Sequence, residues 1–545
     1  MLVFLFFPMS TLASSEFGTN IDIRYRYDKQ GIPAVEQRVS LTNKVSTRYA
    51  TEYTMEFNSD LPKNLKAWDN KGPLKIMILD KKIVLPFNDA VDGKDKTLNF
   101  WMTYEGLPAL QNGQTWEVLV PKLDYPDEVD SYRIILEIPK NFGRLAFVNP
   151  NPSYITDNVY IFASPSVKKS GLVAIFGDFQ TLGFDLKYKL DKPGEIALPP
   201  DTSYQRVTYN KIDPHPTSIR VDRDGNWLAR YDQPVEVRLS GQANVLSSPA
   251  QIVASPSFER LKILTNPNKL WPQKPIDLKT PRKIYDYVVE NLEYNIQTGN
   301  TCVTFTNLFV SLARTAGIPA RAVVGYAYTN NPKLKPVGIE GDVLHEWPQY
   351  WDWNRALWIS VDPTWGKTSG GFDYFSQFDF EHLSFLIYGE HDQFLLPIDI
   401  QVKVVDYKEF ENLPLTTTID MPQFIYPPFG TSIYLTVTNP NPYAVYHTSL
   451  LGFEQREIVS LPPFASVRLE LPIKPNFALN LKPQSLKLRV GELALEYNID
   501  NNKYLFWHVT LAIFTSIVLI GLGYVAHQTW SVHLQGRPRQ HHLRR

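Results

Sequence analysis

Cysteine is almost absent from this chain, because Cys302 is the single cysteine among 545 residues. A disulfide needs two thiols, so no bridge can form within the chain. Its stability must therefore come from burial and hydrogen bonding. A lone cysteine is most often a small buried apolar residue, so only the neighbours of Cys302 can give it a chemical role.

An excess of either charge is also missing. The 55 basic and 56 acidic residues leave a formal net charge of -1. No global field favours a nucleic acid, and the sequence shows no basic stripe, Walker loop or zinc-finger spacing. We predict no nucleic-acid partner, no cofactor and no metal.

Proline and aromatic residues are abundant instead, with 42 Pro, 30 Phe and 29 Tyr. Runs that alternate apolar and polar residues, such as 21–27, 116–120 and 132–138, are typical of antiparallel β-sandwiches. We predict a β-sandwich over residues 15–150, and over 151–250 either a second sandwich or an extension. The β pattern returns over 396–502, for which we predict an immunoglobulin-like sandwich.

Both ends of the sequence carry apolar segments. Residues 1–14 resemble a short signal peptide, although the first basic residue is Arg24. Residues 504–524 contain no Asp, Glu, Lys or Arg. At about 1.5 Å per residue, such a helix crosses a hydrocarbon core of about 30 Å. We predict a transmembrane helix over 503–526, and the alternative is a buried core helix.

The segment after the predicted span, residues 527–545, contains four arginines and no acidic residue. The positive-inside rule predicts that this tail is cytoplasmic and that the large domains are extracytoplasmic. The sequence therefore predicts a single-pass protein of the cell membrane.

Between residues 251 and 395 the β pattern gives way to a mixture of helices and strands. Residues 281–292 carry one apolar stripe, which predicts a helix. After Cys302, apolar residues recur at helical spacing up to Gly317, so Cys302 falls in the first turn of a second helix. The unpaired N–H groups and the dipole at a helix N-terminus favour a thiolate there.

A thiolate nucleophile needs a base, and the base needs an orienting group. His345 lies in a predicted strand, 344–351, which a four-residue turn joins to a second strand, 356–362. A regular hairpin places His345 directly opposite Asp362, with Cβ atoms about 5 Å apart. We therefore predict a catalytic set of Cys302, His345 and Asp362.

In this scheme the thiolate attacks an amide carbonyl, the imidazole protonates the leaving amine, and the carboxylate orients the imidazole. The backbone N–H of Cys302 is one candidate oxyanion donor. The sequence leaves the second donor open among Asn295, Gln297 and Trp271.

Three motifs surround these residues: Gly-Asn-Thr-Cys at 299–302 with Leu-Ala-Arg-Thr-Ala-Gly-Ile-Pro-Ala-Arg at 312–321, His-Glu-Trp at 345–347, and Val-Asp-Pro-Thr-Trp at 361–365. Together they resemble the bacterial transglutaminase-like (papain-like cysteine) superfamily. The resemblance covers about 281–388. It implies a papain-like α+β transglutaminase core over 251–395 and thiol acyl transfer on protein or peptide amides. It leaves open whether the acceptor is an amine, giving a transferase, or water, giving a deamidase or peptidase.

Several other features have less specific explanations. The fragment Asp-Arg-Asp-Gly-Asn at 222–226 fits a tight hairpin turn better than a calcium loop, because its glycine is fourth rather than sixth. His382 and His391 are expected to be core or surface residues. The alternative for the whole chain is a surface adhesion or assembly protein that uses the domain as a non-catalytic scaffold.

Overall fold

A computed structural model describes residues 16–56, 61–123, 125–163, 165–267, 278–327, 343–370, 372–390, 394–420, 431–452, 457–473, 484–499 and 502–535. The chain divides into two compact units. The larger unit ends at Glu409, and the smaller unit contains Phe410 onward with residues 216–221 and 229–231. The predicted signal peptide, residues 1–14, lies outside the described residues.

The N-terminal part of the larger unit is almost entirely β structure, as its alternating runs predict. Its elements are β1 (Phe17–Tyr27), β2 (Pro33–Asn43), β3 (Ala50–Glu56), β4 (Lys63–Asp69), β5 (Gly72–Pro73), β6 (Met77–Leu79), β7 (Lys82–Val91), β8 (Thr97–Glu105), β9 (Leu110–Asn112), β10 (Thr115–Val120), β11 (Ser131–Glu137), β12 (Leu145–Asn149), β13 (Tyr154–Thr156), β14 (Val159–Phe162), α1 (Pro165–Ser170) and β15 (Leu172–Phe176).

These strands form an eight-stranded sheet of order β13-β14-β11-β1-β2-β8-β4-β5, a four-stranded sheet of order β12-β15-β10-β9, and a small sheet of order β3-β7-β6. Apolar residues of the two larger sheets share one core, including Ile23, Phe100, Val118 and Phe176. The pair β1–β11 is parallel, so this sandwich departs from the purely antiparallel arrangement expected.

Strands on both sides of residue 150 belong to the same two sheets. β12 pairs with β15, and β14 pairs with β11. The sandwich therefore continues to Phe176, and the boundary predicted at residue 150 falls inside it. The segment 149–152, Asn-Pro-Asn-Pro, links strands within this sandwich, because proline and asparagine mark turns between strands as readily as linkers between domains.

The next segment contains β16 (Gln180–Leu190), β17 (Gly194–Leu198), β18 (Gln205–Asp213), β19 (Ser218–Val221), β20 (Trp227–Tyr231) and β21 (Val235–Val245). β21 lies between β18 and β16, and both pairings are antiparallel.

Helices enter the chain after residue 250. The elements are α2 (Phe258–Ile263), α3 (Pro281–Asn291), α4 (Cys302–Thr315), β22 (Ala320–Ala327), β23 (Val343–Asp352), β24 (Leu357–Ser360), α5 (Pro363–Thr368) and β25 (His382–Tyr388). The strands form an antiparallel sheet of order β24-β23-β22-β25. α4 and α3 bury their apolar stripes in the same core as this sheet.

The N-terminal sandwich supplies part of that core. The Phe147 ring stacks on Phe372 with centroids 5.2 Å apart. The side-chain amide of Gln377 also donates to the Val148 carbonyl at 3.0 Å and accepts from its N–H at 2.7 Å. The helix-containing segment is thus packed against the N-terminal sandwich.

The strand β26 (Asp399–Val404) follows this segment and pairs antiparallel with β16. The C-terminal domain predicted to begin at residue 396 therefore begins later, since Glu409 still belongs to the larger unit. A single strand's sequence pattern does not show which sheet the strand joins.

The smaller unit holds β27 (Thr416–Asp420), β28 (Thr431–Thr438), β29 (Val445–Leu451), β30 (Glu457–Leu461), β31 (Ser466–Ile473), β32 (Gln484–Val490), β33 (Leu493–Ile499) and α6 (Asn502–Gln535). The sheets β27-β28-β31 and β30-β29-β32-β33 share a core that includes Ile433, Leu471 and Leu488.

Helix α6 matches the apolar stretch of the sequence. The segment His508–Ser531 is 24 residues long, with a mean hydropathy of 2.2, and it is long and apolar enough to cross a membrane. None of it is buried inside the protein, which argues against the alternative of a core helix.

Candidate functional site

Cys302 is the first residue of α4, as the spacing of the apolar residues predicts. Its neighbour Thr301 is the N-cap in an extended conformation, and the Thr301 carbonyl accepts from the N–H groups of Thr304 and Phe305. Phe305 is fully buried. The thiol therefore lies at the N-terminal end of a helix that the core holds in place, and Cys302 itself is partly exposed.

The chain enters α4 through a tight turn. The backbones of Asn295 and Asn300 exchange two hydrogen bonds, at 2.8 and 3.0 Å. Gly299 within the turn has a φ of +79°, a conformation that suits glycine. The Asn295 side-chain oxygen accepts from the backbone N–H groups of Gln297 and Thr298. That oxygen stabilises the turn, and Trp271, another oxyanion candidate, lies outside the described residues.

His345 lies on β23 and points into the interior, with 4% of its surface exposed. Its Nε2 is 2.7 Å from Oδ2 of Asp362, which is fully buried. The thiol of Cys302 interacts with the same imidazole ring and helps to raise its pKa. The structure thus brings together all three residues that the sequence singled out.

The route by which Asp362 reaches His345 differs from the hairpin predicted. β23 and β24 pair Trp351 with Trp358 and Gln349 with Ser360, which shifts the register by two residues. Asp362 lies beyond the end of β24. A shift of two residues keeps a side chain on the same face of a hairpin, so the contact with His345 is made diagonally.

Asp362 is also the N-cap of α5. Its Oδ1 accepts from the backbone N–H of Trp365 at 3.0 Å, and its own N–H donates to the Tyr374 carbonyl at 3.1 Å. One carboxylate oxygen thus starts the helix, and the other faces the imidazole. The turn of α5 fixes the carboxylate for His345.

Electrostatics favour the charged forms of both partners. Burial by itself lowers the pKa of His345, but the Asp362 carboxylate and the nearby Cys302 side chain raise it to about 10. Burial by itself raises the pKa of Asp362, but the charge of His345 and hydrogen bonds from His345 and His382 hold it well below its usual range. At neutral pH the pair is therefore an imidazolium beside a carboxylate.

His382 belongs to the same cluster, which the sequence did not predict. Its Nε2 lies 3.1 Å from Oδ2 of Asp362, and its Nδ1 lies 2.6 Å from Oδ1 of Asp379. His382 is a core histidine, as expected, since only 1% of its surface is exposed. The one local sign of its role is an aspartate three residues earlier, which is a weak signal on its own.

Aromatic rings enclose the two imidazoles. The ring centroids of Phe378, Trp365 and Trp347 lie 4.4, 4.8 and 4.9 Å from that of His382. Most tryptophans near the strands fill the core, and Trp353 differs because it is 57% exposed.

The ligand atoms of His345, Asp362 and His382 lie within 4.8 Å of one another, a spacing that can hold a metal ion. Two hydrogen bonds to one carboxylate oxygen already account for this approach. The hydrogen-bonded arrangement is complete without an added cation.

The fragment 222–226 forms a turn. The Asp222 N–H donates to the Asn226 carbonyl at 3.0 Å, and Gly225 has a φ of +95°. The Asp222 side chain accepts from backbone N–H groups inside the turn, and Asp224 forms a buried ion pair with Arg260. Both carboxylates thus have structural partners. His391 lies outside the described residues.

Comparison with known proteins assigns the helix-containing segment to a family. Residues 268–363 match the model of the transglutaminase-like superfamily. The chain therefore contains a transglutaminase-like domain, and the resemblance seen in its motifs is confirmed. No curated protein matches the chain.

Several solved structures align with parts of the chain. A candidate cysteine protease from Cytophaga hutchinsonii aligns at 14% identity and a TM-score of 0.26, over 43% of this chain and 93% of that chain. An M1 zinc metallopeptidase from Deinococcus radiodurans aligns at 8% identity and a TM-score of 0.20, over 30% of this chain and 42% of that chain. Likenesses this distant say nothing about activity.

Proposed function

We propose that the protein is a membrane-anchored extracytoplasmic thiol enzyme that acts on amide bonds of proteins or peptides. Its catalytic residues are Cys302, His345 and Asp362. One observation carries the proposal: a single buried imidazole contacts both the only thiol of the chain and a buried carboxylate. Packing of the core alone does not require an imidazole to lie between a thiol and a carboxylate.

In this proposal each side chain has one step. The Cys302 thiolate attacks the carbonyl carbon of an amide, and the resulting tetrahedral oxyanion faces the N-terminus of α4, where the Cys302 N–H can donate. The C–N bond then breaks, and the His345 imidazolium gives its proton to the leaving amine. The product is a thioester on Cys302 and a free amine.

The second half of the reaction regenerates the thiol. An amine or a water molecule attacks the thioester and loses a proton to the neutral imidazole, and Cys302 leaves as the thiolate. An amine acceptor gives a new amide, as in a transglutaminase. Water gives an acid, as in a deamidase or a peptidase. Asp362 keeps one imidazole tautomer in place during both halves.

The proposed architecture extends the fold described above. The helix-containing segment is proposed to be papain-like, and the sheets of residues 416–499 are proposed to be immunoglobulin-like. The helix α6 is proposed to span the membrane with the basic tail, 527–545, in the cytoplasm, and residues 1–14 to be a signal peptide. The apolar, unburied surface of α6 supports the anchor.

The rival hypothesis is a surface adhesion or assembly protein in which the domain is a scaffold. Alkylation by iodoacetamide separates the two, because Cys302 is the only thiol that can react. The detergent-solubilised full chain is expected to react quickly near pH 7, and the His345→Ala variant slowly. Equal, slow rates for both proteins would favour the scaffold.

The acceptor can be identified by mass spectrometry of a glutamine-containing peptide incubated with the full chain, with and without a primary amine. Deamidation adds about 1 Da, amine incorporation adds the mass of the amine less ammonia, and peptidase activity cleaves the backbone. The wild-type preparation used must be one whose Cys302 reacts quickly with iodoacetamide. A peptide that such a preparation leaves unchanged would contradict amide chemistry on glutamine.

A further inference from the structure

A second histidine–aspartate pair stands directly behind the proposed catalytic residues. Oδ2 of Asp362 lies between two imidazole nitrogens, Nε2 of His345 at 2.7 Å and Nε2 of His382 at 3.1 Å. The other nitrogen of His382 lies 2.6 Å from Asp379. We propose that His382, held by Asp379, is a positioning residue that keeps Asp362 ionised and aimed at His345.

This inference rests on the proposed function, because it assigns the pair a role in activating Cys302. Among the described residues, neither His382 nor Asp379 contacts the Cys302 thiol or the place where a substrate amide would react. Their effect must pass through Asp362.

The geometry places a carboxylate oxygen at each ring nitrogen of His382: Nδ1 faces Asp379 and Nε2 faces Asp362. An ionised carboxylate only accepts hydrogen bonds, so a ring nitrogen facing one must carry a proton. With both carboxylates ionised, both nitrogens donate and the ring is an imidazolium. The Asp379 carboxylate also accepts from the Glu381 N–H at 3.0 Å through the same oxygen, Oδ1.

The surroundings stabilise that cation. The faces and edges of Phe378, Trp365 and Trp347 surround the ring at 4.4 to 4.9 Å between centroids. Aromatic faces attract a cation, more strongly when water is excluded. Burial by itself lowers the pKa of His382, but Asp379 and the hydrogen bond with Asp362 raise it.

The pair also links distant elements of the domain. His345 belongs to β23, Asp362 begins α5, and His382 begins β25 on the other side of β22. Asp362 accepts three hydrogen bonds from these elements and from its own helix. With three donors fixed by three elements, the carboxylate has one orientation, as an orienting group requires.

Several titratable groups lie close enough to His382 to affect the charge of its ring. Asp362, Asp379 and His345 lie next to the ring, and the Tyr374 ring lies 6.2 Å away between centroids. Glu381 is its neighbour in the chain, and Tyr374 also faces that carboxylate. The negative groups outnumber the positive ones, which favours the imidazolium.

The test is the pH dependence of Cys302 alkylation by iodoacetamide in the detergent-solubilised full chain. Three variants are compared with the wild type: His382→Leu removes the donor, His382→Gln keeps a neutral donor, and Asp379→Asn keeps the Glu381 contact but removes the charge. The matched control is His447→Gln, since His447 forms an exposed pair with Glu457 at 2.6 Å.

In His382→Leu, Asp362 loses one hydrogen-bond donor and one cationic neighbour, so it is protonated at a higher pH. The Cys302 thiolate depends on ionised Asp362 through His345, so it is lost at a higher pH as well. We expect the acid limb of the rate profile to move up by about one pH unit, which makes the reaction about fivefold slower at the wild-type midpoint and about tenfold slower well below it. His382→Gln and Asp379→Asn are expected to show smaller shifts in the same direction. His447→Gln is expected to match the wild type.

The outcomes separate this inference from the proposed function. A wild-type rate that is slow and independent of His345 removes the proposed function itself. A fast wild type whose acid limb stays in place in His382→Leu and Asp379→Asn overturns the positioning role alone, and so does a uniform loss of rate without a shift. If His382→Leu does not fold, Asp379→Asn decides by the same criterion.

Discussion

Gly325 lies directly opposite His345 on the neighbouring strand, and a Cβ on this glycine would come within 2.0 Å of the Leu383 carbonyl oxygen. The strand β25 can approach β22 this closely because residue 325 has no side chain. The pairing of these two strands shifts register at the same point, between Val324 and Gly325. The position of His382, at the start of β25, therefore depends on a glycine beside His345.

Gly325→Ala is expected to destabilise the domain by about 1–3 kcal/mol through overpacking and to slow Cys302 alkylation. The added carbon must push β25 away from β22, because the nearest obstructing atom is the backbone carbonyl oxygen of Leu383. Gly93→Ala is the matched control, since its Cβ would meet only Lys96 at 3.9 Å. Thermal unfolding and the rate of Cys302 alkylation are measured for both variants. Equal unfolding temperatures and rates for the two would show that β22 and β25 need no close approach.

Asp362→Asn is expected to lower the rate of acylation roughly 100-fold or more, in the range of general acid–base contributions. The asparagine oxygen can still cap α5, so folding is expected to be preserved while the imidazolium loses its counter-ion. The control is Asp28→Asn, because the Asp28 side chain likewise accepts from backbone N–H groups, those of Gln30 and Ile32. Single-turnover kinetics with a glutamine peptide measure the effect, and a wild-type rate in Asp362→Asn would remove the carboxylate from the mechanism.

The charge of His345 predicts the alkaline behaviour. Its pKa in the folded state, about 10, lies above the ordinary value of 6.5. The stabilising contribution of the imidazolium is therefore complete below about pH 6.5 and is lost as the pH rises through about 10. Turnover is expected to fall over the same upper limb, because the leaving amine loses its proton donor.

The matching measurements are turnover and thermal unfolding of the wild type and His345→Gln from pH 6 to 11. The stability difference between the two proteins should shrink toward the alkaline end. A difference that stays constant across this range would mean that His345 is not an imidazolium in the folded protein.

Arg260→Ala is expected to destabilise the larger unit by about 3–5 kcal/mol, because it leaves a buried carboxylate unpaired. Arg260 donates to Asp224 through Nε at 2.9 Å and Nη2 at 2.6 Å, and to Glu390 through Nη1 at 2.7 Å. The exposed pair of Arg144 with Asp178 is the control, and Arg144→Ala is expected to cost about 0–1 kcal/mol. Urea unfolding distinguishes the two, and a small effect of Arg260→Ala would show that the buried pair adds little.

The distances that the sequence could not supply are those between segments far apart in the chain. A hairpin between His345 and Asp362 was expected, and both residues were placed on one face. The register itself was shifted by two, because Asp362 leaves the strand to begin α5. The strand β26 joined a sheet more than 200 residues earlier in the chain, which no local pattern indicates.

By itself, the sequence determined the elements: alternating strands, an apolar C-terminal helix, and a helix whose first residue is the only cysteine. These follow from periodicity and capping, which depend on residues within a turn or a strand of each other. Only the tertiary structure decided that His382 and Asp379 stand behind Asp362, and that the N-terminal sandwich continues past residue 150. Such contacts depend on which sheets pack together, and that is settled by the burial of the whole chain rather than by neighbouring residues.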